Sequence, residues 1–366
     1  MSEANKTDDG KANANSKEAD NAISFDYDRN FCLWLKQNNC SPVVSSYSRQ
    51  KVYSIGLKPD DNTMSIYYTN CGRPMGLCSN GDSLYIATIG NIVRYENKGE
   101  ETDPNFGKFD AGFYPQHAYL SGDIDCHDLR VNSKGELFYI STLFNCICQP
   151  SMTKSFEVYY VPPWISKKEN GQPPGEDRCH LNGLCLVDDK PRYITASCNK
   201  DYHQAWRDHM LKGGLVYDIV EDRVVVDGLT CPHSPQMYKG KLWVLEAGTG
   251  QFGYVDIEAG KFVPKKFLPG FLRGLSFVNN YAVICLSSDR HDNSFKDIPL
   301  GKILEEQGQK VKVGIVIVDL DNFDIKHQMQ FYGKNIEFYD AMVLQGITRP
   351  RVYDIGDSAL VEKFHL

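Results

Sequence analysis

The feature that most constrains this chain is a spaced self-similarity. RPMGLCSNGDSLYIAT (73–88), HDLRVNSKGELFYIST (127–142), HLNGLCLVDDKPRYITA (180–196), HSPQMYKGKLWVLEA (233–247) and FLRGLSFVNNYAVICLS (271–287) share one pattern. Each reads as a short apolar strand, a polar turn rich in Gly, Asn, Asp or Lys, and a second strand ending in small or hydroxylated residues. The starts at 73, 127, 180, 233 and 271 give steps of 54, 53, 53 and 38 residues. A step of that length leaves room for two further strands, such as NIVRYEN (91–97), or GGLVYDI with RVVVDGL (213–229). Four antiparallel strands per step is the unit of a β-propeller blade.

The ends of the chain complete the count. YDAMVLQGI (339–347) looks like a first strand without its second, and SPVVSSYSRQ (41–50) looks like a second strand without its first. KVYSIGL and MSIYYTN follow the latter as outer strands. The fold expected is therefore all-β, a single six-bladed β-propeller over residues 24–366. Its last blade takes an inner strand from the C-terminus and outer strands from the N-terminus, which leaves no free edge at the junction. One helix is expected, in an insertion at DIPLGKILEEQGQ (297–309), and residues 1–23 read as a disordered polar tail.

Charge and composition narrow the partners. A formal charge of -7 disfavours a nucleic acid, whose backbone needs a basic face. No apolar leader and no run of about 18 apolar residues are seen, so a cytoplasmic protein without a membrane span is expected. The twelve cysteines form no CxxC pair and are expected as buried thiols rather than disulfides. Oligomeric state is left open.

In a propeller the inner strands start at one mouth of the central channel. The residues heading the aligned segments are Arg73, His127, His180, His233 and Phe271, with Arg273 two residues on. Three histidines at one register, from a chain with 9, form a candidate metal site. Three neutral imidazoles with an open position suit catalytic Zn, and also Fe or Cu. Arg73 and Arg273 border them and offer planar forks for a small anionic substrate. Asp128, Tyr339 and Asp340 are candidates to move a proton. Asn182, Asn145, Glu246 and Tyr202 are expected at the same mouth as substrate contacts. SCNKDYHQAWRDH (197–209) and SSDRHDNSF (287–295) are longer than a hairpin requires and read as lids, the first bringing Tyr202, His203 and Trp206. Asp125, Asp128 and Asp177 are candidates to orient the imidazoles.

The motifs RPMGL, GDIDCHDL, DRCHLNGL, PHSPQ, LWVLEAGTG and PGFLRGLSF together resemble a mainly bacterial family with no assigned activity, sometimes joined to tetratricopeptide repeats, over about residues 32–350. More distantly the blades resemble the gluconolactonase and strictosidine-synthase-like six-bladed propellers. That resemblance implies a calcium cage of carboxylates and asparagine, which HLNGL matches at Asn182 and from which the three histidines depart. The layout of three inner-strand histidines is similar to the lyase domain of the peptide-amidating enzyme, which implies a central zinc with Arg and Tyr beside it. The function expected is a metal-dependent lyase acting on a small anion. An iron or copper oxidoreductase and a non-catalytic scaffold are the alternatives.

Overall fold

The computed structural model describes residues 23–60, 63–288, 294–333, 336–358 and 360. All but the last residue of the expected polar tail lies outside them. Six sheets follow the order expected from the spacing. Blade 1 pairs the C-terminal strand Phe338–Gln345 with Cys40–Ser46, Lys51–Leu57 and Met64–Asn70. Blade 2 comprises Leu77–Ser79, Ser83–Thr88, Asn91–Asn97 and Ala111–Leu120. Blade 3 runs Leu129–Val131, Leu137–Ser141, Cys146–Gln149 and Glu157–Tyr160. Blade 4 runs Leu181–Val187, Lys190–Ala196, Gly214–Asp218 and Arg223–Leu229. Blade 5 has Pro232–Tyr238, Lys241–Glu246, Gln251–Asp256 and Lys261–Phe267. Blade 6 has Phe271–Val278, Tyr281–Ser287, Gly314–Asp319 and Ile325–Tyr332.

Period-2 alternation explains why these strands stack face to face. In blade 2, Leu84 and Ile86 enter the apolar layer shared with blade 1, while Tyr85 and Ala87 enter the layer shared with blade 3. In blade 3, Leu137 and Tyr139 face blade 2, and Phe138 and Ile140 face blade 4. Each of the six interfaces holds such a layer. All twelve cysteines are buried and reduced, and burial pushes Cys40 and Cys185 up to about 12.

Closure sets Cys40 against Gln345 and Ser46 against Phe338 in antiparallel register. Two added edge strands were not foreseen. Ser24–Tyr27 joins blade 6 as a fifth strand, and Pro350–Val352 joins blade 2 in parallel with Ala111–Phe113. The helix Phe31–Asn38 packs Phe31, Trp34 and Leu35 into the layer between blades 6 and 1, and the insertion helix spans Pro299–Glu306. Among the described residues no helix is long and apolar enough to cross a membrane.

Side chains of the inner strands fasten each blade to the next. Asp340 accepts from Leu77 N at 2.8 Å, and Asp128 accepts from Leu184 N at 2.9 Å. Ser45 donates to Met75 O and Thr142 to Leu181 O, at 2.5 and 2.6 Å. Arg130 lies 2.8 Å from Asp128 Oδ1, and its charge also acts on Asp340. Burial, opposed by Arg130, pushes Asp128 up to about 6. Burial and the Asp128 charge push Asp340 up to about 7. Both lie above the unfolded value of about 3.9, so the folded chain binds more protons between about pH 4 and pH 7. The stability these protons supply is present at acid pH and is lost as pH rises through the folded values. Arg130→Met removes the shared counter-ion, and an expected loss of about 3–5 kcal/mol in urea unfolding at pH 7 should shrink toward pH 5. A uniform loss at both pH values would contradict the shared-proton account.

Candidate active site in the channel

The heading loops are tied down by the ends of the second strands. Thr142 N, Ser197 N and Ala247 N donate to the carbonyls of Asp125, His180 and Cys231 at 3.4, 3.3 and 3.1 Å, which makes those three residues equivalent. Each has left-handed backbone, with φ of 52°, 51° and 52°, and Arg73 heads blade 2 with φ 50°. Two residues further on stand Met75, His127, Asn182 and His233. In blade 6 the matching residue is Arg273, since Gly274 after it and Ser234 after His233 are both left-handed bulge residues. At Gly274 a Cβ would fall 2.4 Å from Ala341 N, so only glycine permits the approach of blade 1. Tyr339 completes the ring in blade 1, because Asp340 after it bonds the next blade as Asp128 does.

The expected register of three histidines is corrected accordingly. His127 and His233 share one level with Tyr339, Met75, Asn182 and Arg273, while His180 stands two residues earlier. The offset follows from the heading loops, where the second strand bonds back to His180 itself but to the residues two before His127 and His233.

Two of the three imidazoles nevertheless meet. The rings of His127 and His180 lie 4.7 Å apart between centroids, and His127 faces Tyr339 at 5.3 Å. The Arg273 guanidinium lies 4.5 Å over the Tyr339 ring, and His233 packs edge-on to Phe271 at 5.7 Å. Burial first, then His180, Arg273 and His233, hold the His127 imidazole well below the usual histidine range.

Each imidazole has its Nδ1 committed. His127 Nδ1 lies 3.0 Å from Asp125 O and 2.7 Å from Thr142 Oγ1, whose own proton goes to Leu181 O. His180 Nδ1 lies 2.7 Å from Asp177 Oδ2, and His233 Nδ1 lies 2.9 Å from Cys231 O. Carbonyls and carboxylates only accept, so Nδ1 carries the proton and Nε2 of a neutral ring carries the lone pair. Among the described residues no group of three or more His, Cys, Asp or Glu is arranged to hold a metal ion.

The other expected residues divide by task. Arg273 is only 8% exposed, and its Nε and Nη1 make no hydrogen bond; its ion pair to Glu337 is 3.9 Å long. Asn182 is 2% exposed, and its Oδ1 accepts from Thr195 while Nδ2 makes no hydrogen bond. Asp128 and Asp340, expected to move protons, are engaged as blade fasteners. Asn145 accepts from Arg178 N and Cys179 N at 3.0 and 3.1 Å, so it holds the loop before His180. Glu246 accepts from Thr230 N at 3.0 Å and holds the loop before His233. Arg73 lies at the rim in an ion pair with Asp123. Tyr202 is exposed and donates to Asp208, whereas Trp206 on the same lid stacks on His180 at 4.4 Å. Most of the second lid lies outside the described residues. Thr142, Met75 and Arg130 escaped sequence reasoning, although a charge inside the short strand LRV was a visible signal for Arg130.

Fold and geometry together define a six-bladed propeller whose channel brings His127 and His233 to one level with Arg273 and Tyr339, with His180 beside His127. The chain belongs to the family described as domain of unknown function (DUF4915), matched over residues 29–353. No curated protein sequence matches it. A chain of the nidogen/laminin complex is similar with a TM-score of 0.50 and 11% identity, covering 84% of this chain and 99% of that one, which supports the propeller fold alone. Virginiamycin B lyase from Staphylococcus aureus is similar with a TM-score of 0.38 and 9% identity, over 85% of this chain and 99% of that one.

Asn145→Ala would orphan the buried Cys179 amide, and a loss of about 1–3 kcal/mol is expected. Hydrogen exchange should quicken at Arg178, Cys179 and His180 while blade 6 amides stay protected. Unchanged exchange in that loop would contradict the anchoring role.

Proposed function

We propose that this chain is a metal-dependent lyase of small organic anions, with a divalent transition metal held by Nε2 of His127, His180 and His233. The reading is carried by one observation: all three Nδ1 atoms are tied to acceptors, as carbonyls and carboxylates commonly tie the far nitrogen of metal-binding imidazoles. The donor set fits Zn, Fe or Cu better than Ca, since nitrogen predominates over carboxylate oxygen. Because the described residues are not drawn together as a metal cluster, loading requires the imidazoles to close inward. When bound, such an ion acidifies a hydroxyl and stabilises developing negative charge.

The chain's own groups have the remaining tasks. Arg273 binds the anionic end of the substrate from its buried position. Tyr339, between His127 and Arg273, carries the proton that the elimination moves. Asp177 fixes the His180 ring, and Trp206 covers it from the lid. A second reading, a binding propeller without chemistry, is favoured by the engagement of Asp128 and Asp340 in blade fastening.

Elemental analysis of protein purified without chelator separates the two. About one equivalent of transition metal is expected in the native chain, with little left in the His127→Ala, His180→Ala and His233→Ala variants. Less than about a tenth of an equivalent, together with no binding of added Zn, Fe or Cu, would overturn the metal reading.

A further inference from the structure

We infer that the substrate is a small carboxylate carrying a second oxygen acceptor, a carbonyl, hydroxyl or second carboxylate, gripped at one end by Arg273 and at the other by Asn182. This rests on the reading of the channel as a site for small organic anions and adds the identity of the second group.

Buried donors are nearly always paired, and an orphan in a folded protein calls for a partner the chain itself does not provide. Within the ring of six there are two such side chains, each more than nine-tenths buried. Arg273 presents Nε without a hydrogen bond and Nη1 with only the 3.9 Å ion pair to Glu337, and Asn182 presents Nδ2. The Asn182 amide is oriented by its other end, because Thr195 Oγ1 donates to Oδ1 at 2.7 Å, so Nδ2 is the group left to donate. Register puts Asn182 level with His127 and His233.

The two donors stand on blades 6 and 4, on either side of His233 in blade 5. An anion bound at Arg273 alone would leave Nδ2 without a partner. A ligand with two oxygen-bearing groups satisfies both. Apolar and aromatic faces line the rest of the level, through Met75, Tyr339 and the neighbouring Phe271. They favour a short carbon skeleton between the polar ends over a bare inorganic oxyanion.

Binding calorimetry tests this with acetate, butyrate, lactate, pyruvate, succinate, sulfate and phosphate, on protein as purified and on protein treated with chelator. At least one of lactate, pyruvate and succinate is expected to bind about tenfold to a hundredfold more tightly than acetate and butyrate. Asn182→Ala should erase that preference while leaving acetate binding within about threefold. Arg273→Gln should abolish binding of every carboxylate, and Arg273→Lys should restore part of it; folding of each variant is checked by its melting curve. If Asn182→Ala does not fold, Thr195→Val provides the second test, since freeing the amide should weaken the same preference. Equal affinities across the organic panel, tighter binding of sulfate or phosphate, or a preference that survives in Asn182→Ala would overturn the inference. If the preference persists after chelation in protein that never held metal, the metal reading fails and this one stands.

Discussion

Everything at the channel depends on how each inner strand is fastened to the next. A blade alone is a twisted sheet with two apolar faces, and stacking buries those faces without fixing the level at which neighbours meet. Polar contacts fix it: Asp340 to Leu77 N, Asp128 to Leu184 N and Thr142 to Leu181 O are each satisfied at one offset only. The cost is two buried carboxylates whose desolvation outweighs the pull of Arg130, which is why both favour their protons. In return, six residues from six separate blades arrive at one level.

The same economy governs the histidines. Their heading loops use left-handed residues to turn the chain into the inner strand, and the second strand bonds back to that residue in blades 3, 4 and 5. Nδ1 of His127 and His233 is held by the carbonyl of the residue two before it. Asp177 does the equivalent work for His180, whose place at the turn itself removes the carbonyl option. Backbone geometry and Asp177 thus orient the rings, and in the proposed site the chemistry would fall to Nε2 of each imidazole, to Arg273 and to Tyr339.

Much of this was legible in the sequence. Alternating strands at a regular spacing gave away the blades, and the orphan halves YDAMVLQGI and SPVVSSYSRQ gave away the closure. The added edge strands at Ser24–Tyr27 and Pro350–Val352 were not, because a short strand that pairs with a distant blade leaves no local signal. The level of His180 was misplaced for a related reason. The hydrogen bonds of the heading loops set this level and leave no mark in composition, so HLNGL and HDLRV look aligned although Asn182 is the counterpart of His127. Likewise Asp128 and Asp340 look like site acids, and only the neighbouring blade reveals that their oxygens meet backbone amides.

The most direct test is a crystal structure of the purified protein with diffraction recorded across the Zn, Fe and Cu absorption edges. The account predicts one anomalous peak in the channel, about 2.0–2.2 Å from Nε2 of His127, His180 and His233. A channel without such a peak after soaking in the metal, with the three Nε2 atoms turned toward protein donors instead, would contradict it.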